Sequence, residues 1–130
     1  MININSLIGL KFKFQGTNEY TDCVNLAKRF YELHGWPQNF SDGKEITEEK
    51  YKHQPLRILR YLMKEFFLVQ DFTYGDIVVF NIGGDFHLGI YVGYGKLLSM
   101  IIPTDESSKS CILRGPSWLP YTKYTFRRKE

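Results

Sequence analysis

Cysteine is scarce in this chain: two residues in 130, Cys23 and Cys111. Two thiols make no disulfide framework, and a single bridge between them is the one pairing the count leaves open. Long apolar runs are missing as well, so no membrane span is expected. The opening Met1-Ile2-Asn3-Ile4-Asn5 has no basic stretch followed by an apolar segment, so it does not read as a secretory signal. Internal repeats and low-complexity stretches are absent. No cluster of His, Cys and carboxylates has ligand spacing, so no metal is expected. Gly83-Gly84 lies between two apolar runs and not before a helix, which makes it a turn and not a phosphate cradle. No cofactor is implied. The charge excess is small, a formal +3, well short of the dense basic stripe of a nucleic-acid binder. The only cationic cluster, Arg127-Arg128-Lys129, reads as a solvated tail.

What is present suffices for one core. Hydrophobic residues make up 43% and aromatics 16%, which fits a single folded domain over residues 1–130. Residues 1–21 read as an extended arm with a turn. The first helix is predicted from Asp22 to His34, because Cys23, Leu26, Ala27, Phe30, Tyr31 and His34 share one helical face. Asp22 or Thr21 suits its N-cap, and Gly35 its C-terminal stop. Residues 36–54 are polar and turn-rich, a loop or lid insertion. Pro55 is placed to open a second helix, with Leu56, Leu59, Met63 and Phe67 as its apolar face. Strands then follow at 76–82, 86–92, 96–101, 111–114 and 122–127, joined by Gly83-Gly84 and Tyr94-Gly95 turns. Helices first and a meander afterwards imply an α+β fold, with N-terminal helices packed on one face of a five- to six-stranded antiparallel sheet.

Two residues carry candidate chemistry. Cys23 falls at the predicted N-terminus of a helix, where unpaired N–H groups and the positive dipole end favour a thiolate; the plain alternative is a small buried hydrophobe. His87 begins the strand His87-Leu88-Gly89-Ile90, a suitable place for the base that a cysteine nucleophile needs. His34, at the far end of the helix, and His53, in the polar segment, read as ordinary residues.

The stretch Gly9-Leu10-Lys11-Phe12-Lys13-Phe14-Gln15-Gly16 followed by Asp22-Cys23, then Gly75-Asp76-Ile77-Val78-Val79-Phe80, then His87-Leu88-Gly89-Ile90-Tyr91-Val92-Gly93, resembles the NlpC family of papain-like cell-wall cysteine peptidases. The likeness runs in the correct order over roughly residues 7–101. Asp22 to Ala27, and more weakly Trp118 to Arg127, are similar to single-domain members encoded with bacteriophage tail genes. The resemblance implies a papain-like domain in which Cys23 attacks a carbonyl and His87 shuttles the proton. Its substrate class is the amide bonds of peptidoglycan stem peptides. The Cys23 backbone N–H and a donor from the aromatic arm would stabilise the oxyanion.

The chain departs from that pattern at three points. Phe12 stands where the family usually has a tyrosine, and Tyr20 is the substitute at hand. Val24-Asn25 replaces Ser-Gly after the cysteine. The polar residue that orients the histidine, about twelve positions later, falls on Ser99, whose hydroxyl accepts only a weak, uncharged bond. Three functions stay open: a peptidoglycan peptidase or amidase; a non-catalytic descendant serving in assembly of a phage particle; and a related hydrolase of another amide, ester or lipid. Synthesis in the cytoplasm, with delivery to the wall by a virion or release on lysis, is the expected itinerary. The implied partners are peptidoglycan peptide and phage tail proteins.

Overall fold

The computed structural model describes residues 2–41, 43, 47, 56–100 and 108–129, with the backbone alone for Leu56 and Asp85. Within them the chain is α+β, with three helices and a six-stranded antiparallel sheet. A 3-10 turn, Asn5–Leu7, leads into a two-stranded parallel pair, β1 (Lys11–Phe12) and β2 (Tyr20–Thr21). Helix α1 (Cys23–Leu33) follows at once, and α2 (Leu56–Glu65) runs directly into β3 (Phe66–Val69). The remaining strands are β4 (Ile77–Ile82), β5 (Asp85–Tyr91), β6 (Leu97–Met100), β7 (Ser110–Leu113) and β8 (Thr122–Arg128). A short α3 (Gly115–Trp118) and a 3-10 turn precede β8. The spatial order is β3-β8-β4-β5-β6-β7.

Turn chemistry sets the meander. Gly83 and Gly84 both have positive φ, at 63° and 87°, as the tight β4–β5 hairpin demands. The next turn has positive φ at Tyr94 (54°) and Gly95 (75°), and Lys96 N–H donates to Gly93 O at 3.0 Å. At the far edge, residues 9–12 cover β7. Ser110 N–H donates to Leu10 O, Gly9 N–H donates to Ser110 O, and both bonds are 2.8 Å. The Ser110 hydroxyl adds to this seam, donating to Leu7 O (2.6 Å) and accepting from Leu10 N–H (2.8 Å). That edge of the sheet is therefore blunted against pairing with another chain.

Side-chain alternation gives the sheet two different faces. On one face, Ile77 and Val79 (β4), Leu88 and Ile90 (β5), Leu98 and Met100 (β6) and Phe126 (β8) meet Leu26, Ala27, Phe30 and Tyr31 of α1 and Leu62 of α2 in the main core. Full burial of Leu26 and Phe30 contributes about 2 kcal/mol each. On the other face, Val78, Phe80 and Leu97 pack with Trp118 of α3, flanked by Phe72, Tyr91 and Leu113. The helices are thus not confined to one side: α1 and α2 share a face, and Trp118 seals the opposite one.

Three expectations from the sequence need adjustment. The second helix ends at Glu65, so Phe67 lies on strand β3, 56% exposed, and not on the helix face. The buried side of α2 is Leu62 with Ile58, Leu59 and Tyr61, while Met63 is 51% exposed. The segment 36–54 is only partly described, and Pro55 lies outside the described residues. What is described is no plain loop: Phe40 is buried in the main core, and the Tyr61 hydroxyl donates to Gln38 Oε1 at 2.8 Å.

Asp76 is buried at the start of β4. It accepts from Arg127 at 2.9 Å (Nη2) and 3.1 Å (Nε), and from Thr73 N–H at 2.8 Å. Arg127 also reaches Asp71 at 3.0 Å, and these carboxylates hold its guanidinium even further above its ordinary pKa. The cationic tail is therefore not wholly solvated, since Arg127 belongs to this ion pair. Replacing Arg127 by Ala strands a buried carboxylate and should cost about 3 kcal/mol in urea-unfolding free energy. The Arg127→Ala/Asp76→Ala double variant should lose clearly less than the sum of the two single losses. Strict additivity would show that the pair does not act as a unit.

Candidate functional site

The site begins with the cap of α1. Asp22 is extended (φ −109°, ψ 179°), and its Oδ1 accepts from Asn25 N–H at 2.7 Å. Its Oδ2 accepts from Gln15 N–H, also at 2.7 Å. Burial pushes the Asp22 carboxyl above the ordinary carboxylate range. The backbone N–H groups of Asn25, Gln15 and Val24 and the charge of Arg29 pull it back down. Cys23 is the first residue of the helix, half-buried, and packs against the main core. It thus sits where the dipole and the first-turn N–H groups favour negative charge. Cys111, the other thiol, lies half-buried on β7, and burial raises its pKa. Cys23 and Cys111 are not joined by a disulfide.

The other candidates fall as follows. His87 is on β5, directly opposite Phe80 of β4, and the two rings stack with centroids 5.2 Å apart. Phe80 belongs to the Trp118 cluster, and Leu88 and Ile90 belong to the main core. Alternation therefore sends His87 off β5 on the face away from the body of α1. Among the described residues the β5–β6 ladder takes in Gly89–Tyr91. Ser99 pairs with Gly89 and is fully buried on the same face as His87. Its hydroxyl lies 3.1 Å from Leu88 O and 3.3 Å from Met100 O, so it serves the main chain.

Phe12 is buried in the main core and does not line a groove. Tyr20 is half-buried, with the Lys13 ammonium 5.5 Å from its ring centroid. The structure therefore gathers Asp22, Cys23 and Tyr20 at the start of α1 and sets His87 and Ser99 together on the sheet's other face. His34 is held between Phe30 and Trp36; its Nδ1 lies 2.7 Å from Phe30 O and its Nε2 2.8 Å from the Tyr74 hydroxyl, a structural role. His53 lies outside the described residues. Among the described residues no group of three or more His, Cys, Asp or Glu is placed to hold a metal ion, and no helix is long and apolar enough to cross a membrane.

Sequence reasoning missed two features of this site. One is the tether from Asp22 back to Gln15, which joins residues seven apart through a turn no local pattern announces. The other is Arg29, four residues after Asn25 and hence on the same helix face, where it reaches the loop before Cys23. No protein-family model matches the chain, and no curated protein matches it.

Asp22 satisfies two N–H groups at once, so Asp22→Ala should destabilise the fold by about 2 kcal/mol, at the upper end of capping losses. Asp22→Asn should recover at least half of that, as read by urea denaturation. A loss under about 0.5 kcal/mol, the noise of such fits, would mean that the cap is not needed to hold α1.

Proposed function

We propose that the chain is a cysteine hydrolase of papain-like type acting on amide bonds in peptidoglycan stem peptides. The Cys23 sulfur attacks the carbonyl carbon and forms an acyl-thioester. The amine leaves with a proton delivered by His87, and water attacks the thioester with His87 now taking the proton, which regenerates the thiol. The supporting observation is the place of Cys23: the first residue of a helix whose N-cap, Asp22, is pinned from two sides. The helix carrying it packs over β5, the strand that carries His87. The Cys23 N–H lies in the first turn, where an oxyanion is best received. Delivery with a phage tail is the setting that the resemblance suggests.

A second reading has specific support. His87 is engaged with Phe80 on the face away from α1, and the Ser99 hydroxyl is bonded to main-chain carbonyls. A protein whose imidazole never engages the thiol would serve as an assembly component. The hydrolase reading requires the imidazole to engage the thiol.

Alkylation kinetics separate the two readings. With Cys111→Ser as parent, the rate of Cys23 alkylation by iodoacetamide is followed against pH, with and without His87→Ala. The hydrolase reading expects a midpoint clearly below the free-thiol value of about 8.5, and a shift when His87 is removed. It also expects Cys23→Ala to abolish release of peptide from purified peptidoglycan while leaving the thermal transition nearly unchanged. A thiol that titrates normally and ignores His87 would remove the pair and leave the assembly role. In the unmodified protein Cys111 should react more slowly than Cys23, because burial keeps it protonated.

A further inference from the structure

We propose that Arg29 is a positioning residue, fixing the loop of residues 13–20 over the first turn of α1 as a wall that selects the acyl chains reaching Cys23. The inference rests on the reading of Cys23 as nucleophile. One guanidinium gathers three carbonyls of this loop: Nη1 donates to Asn18 O at 2.9 Å, and Nη2 donates to Gly16 O at 3.1 Å and to Tyr20 O at 2.7 Å. Asn25 Nδ2 donates to Gly16 O as well, at 3.1 Å, and Gln15 N–H donates to Asp22 Oδ2. The loop is therefore tied to residues on either side of Cys23 in the sequence, Asp22 before it and Asn25 after it.

The loop's own preferences do not explain its shape. Gln15 and Asn18 hold φ of 51° and 59°, a conformation that side-chain-bearing residues avoid unless their surroundings impose it. Gly16 is folded so tightly on Tyr20 that a Cβ there would lie 2.6 Å from the Tyr20 Cβ. Nor does burial explain it, since Lys13, Gln15, Thr17, Asn18 and Glu19 are all exposed. A loop with so little core to gain is nevertheless given a fixed shape by a cation that spends its donors on main-chain carbonyls. Such investment is expected where a neighbouring ligand must be placed accurately, and not where a surface turn merely has to close.

Two thiol reagents test this without turnover. In the Cys111→Ser parent, second-order rate constants for Cys23 are measured with iodoacetamide, too small to need a wall, and with a dipeptidyl chloromethyl ketone, whose peptide must lie along one. Arg29→Ala should keep the iodoacetamide rate within about twofold and lower the chloromethyl ketone rate about tenfold, the scale of losses from misplaced reactants. Arg29→Lys should recover part of the difference, because its ammonium reaches fewer carbonyls. Asn25→Ala, which removes a single tether, should shift the ratio the same way by less; it carries the comparison if the melting curve shows that Arg29→Ala does not fold. An unchanged ratio in every variant that folds overturns the proposal. So does a parallel loss with both reagents that tracks the melting temperature, or a parent that takes iodoacetamide and refuses the chloromethyl ketone. A Cys23 titration indifferent to His87 would defeat the hydrolase reading, yet the ratio would still report on Arg29.

Discussion

The Gly75-Asp76 dipeptide fastens the parts of this fold to one another. Gly75 O accepts the hydroxyl of fully buried Tyr31 from α1 at 2.7 Å, and Gly75 N–H donates to Tyr91 O of β5 at 2.8 Å. Asp76 O accepts from Tyr91 N–H, and its carboxylate takes the Arg127 fork from β8. Position 75 has to be glycine on two counts. Its φ is +92°, and a Cβ there would stand 2.6 Å from the Trp36 ring. Three elements thus meet, just before β4, at two residues whose side chains are a hydrogen atom and a buried charge. Burial keeps the Tyr31 hydroxyl protonated, with a pKa far above that of a free tyrosine, so it remains a donor throughout the physiological range.

This node meets α1 at Tyr31, near the helix's C-terminal end, and the thiol lies towards the other end, about 12 Å away at the usual rise per residue. Between them Leu26, Ala27, Phe30 and Tyr31 are fully buried against the sheet. The helix is therefore a rigid arm, clamped at one end by Tyr31 and at the other by the Asp22 cap. Those two clamps hold the helix end that carries Cys23. Side chains at the start of α1 are placed by main-chain hydrogen bonds that arrive from loops, and loops are where functional placement usually originates.

Much of this was legible in the sequence, and what was not has identifiable causes. The bounds of α1 followed from the spacing of Leu26, Ala27, Phe30 and Tyr31 and from the capping chemistry of Asp22. The β4–β5 hairpin followed from two adjacent glycines between apolar runs. Strand β3 was read as helix because Phe66 and Phe67 continue the apolar pattern of α2, and nothing between Glu65 and Phe66 interrupts it; the strand forms because β8 pairs with it from 60 residues away. The Trp118 layer was invisible for the same reason, since a four-residue helix has no periodicity to read. Segment 36–54 seemed polar because Phe40 is isolated in sequence, although in space it joins Tyr31 and Phe66.

The face of His87 was legible and went unread. In His87-Leu88-Gly89-Ile90 the apolar residues alternate, so whichever face takes Leu88 and Ile90 into the core beneath the helices, His87 must leave on the other. The backbone of β5 separates two surfaces of different character, and a motif alone does not say which of them a side chain takes. Along the second surface, Ser99 and Cys111 are direct cross-strand partners, and His87 lies diagonally from Ser99. His87, Ser99 and Cys111 thus lie on the Trp118 side of the sheet, and the helix that carries Cys23 packs on the other. On β5 the imidazole stacks on Phe80, and the described ladder to β6 takes in Gly89–Tyr91. A stacked Phe–His contact of this kind is worth about 1 kcal/mol beyond its buried area, so Phe80 contributes to setting how the imidazole lies on that face.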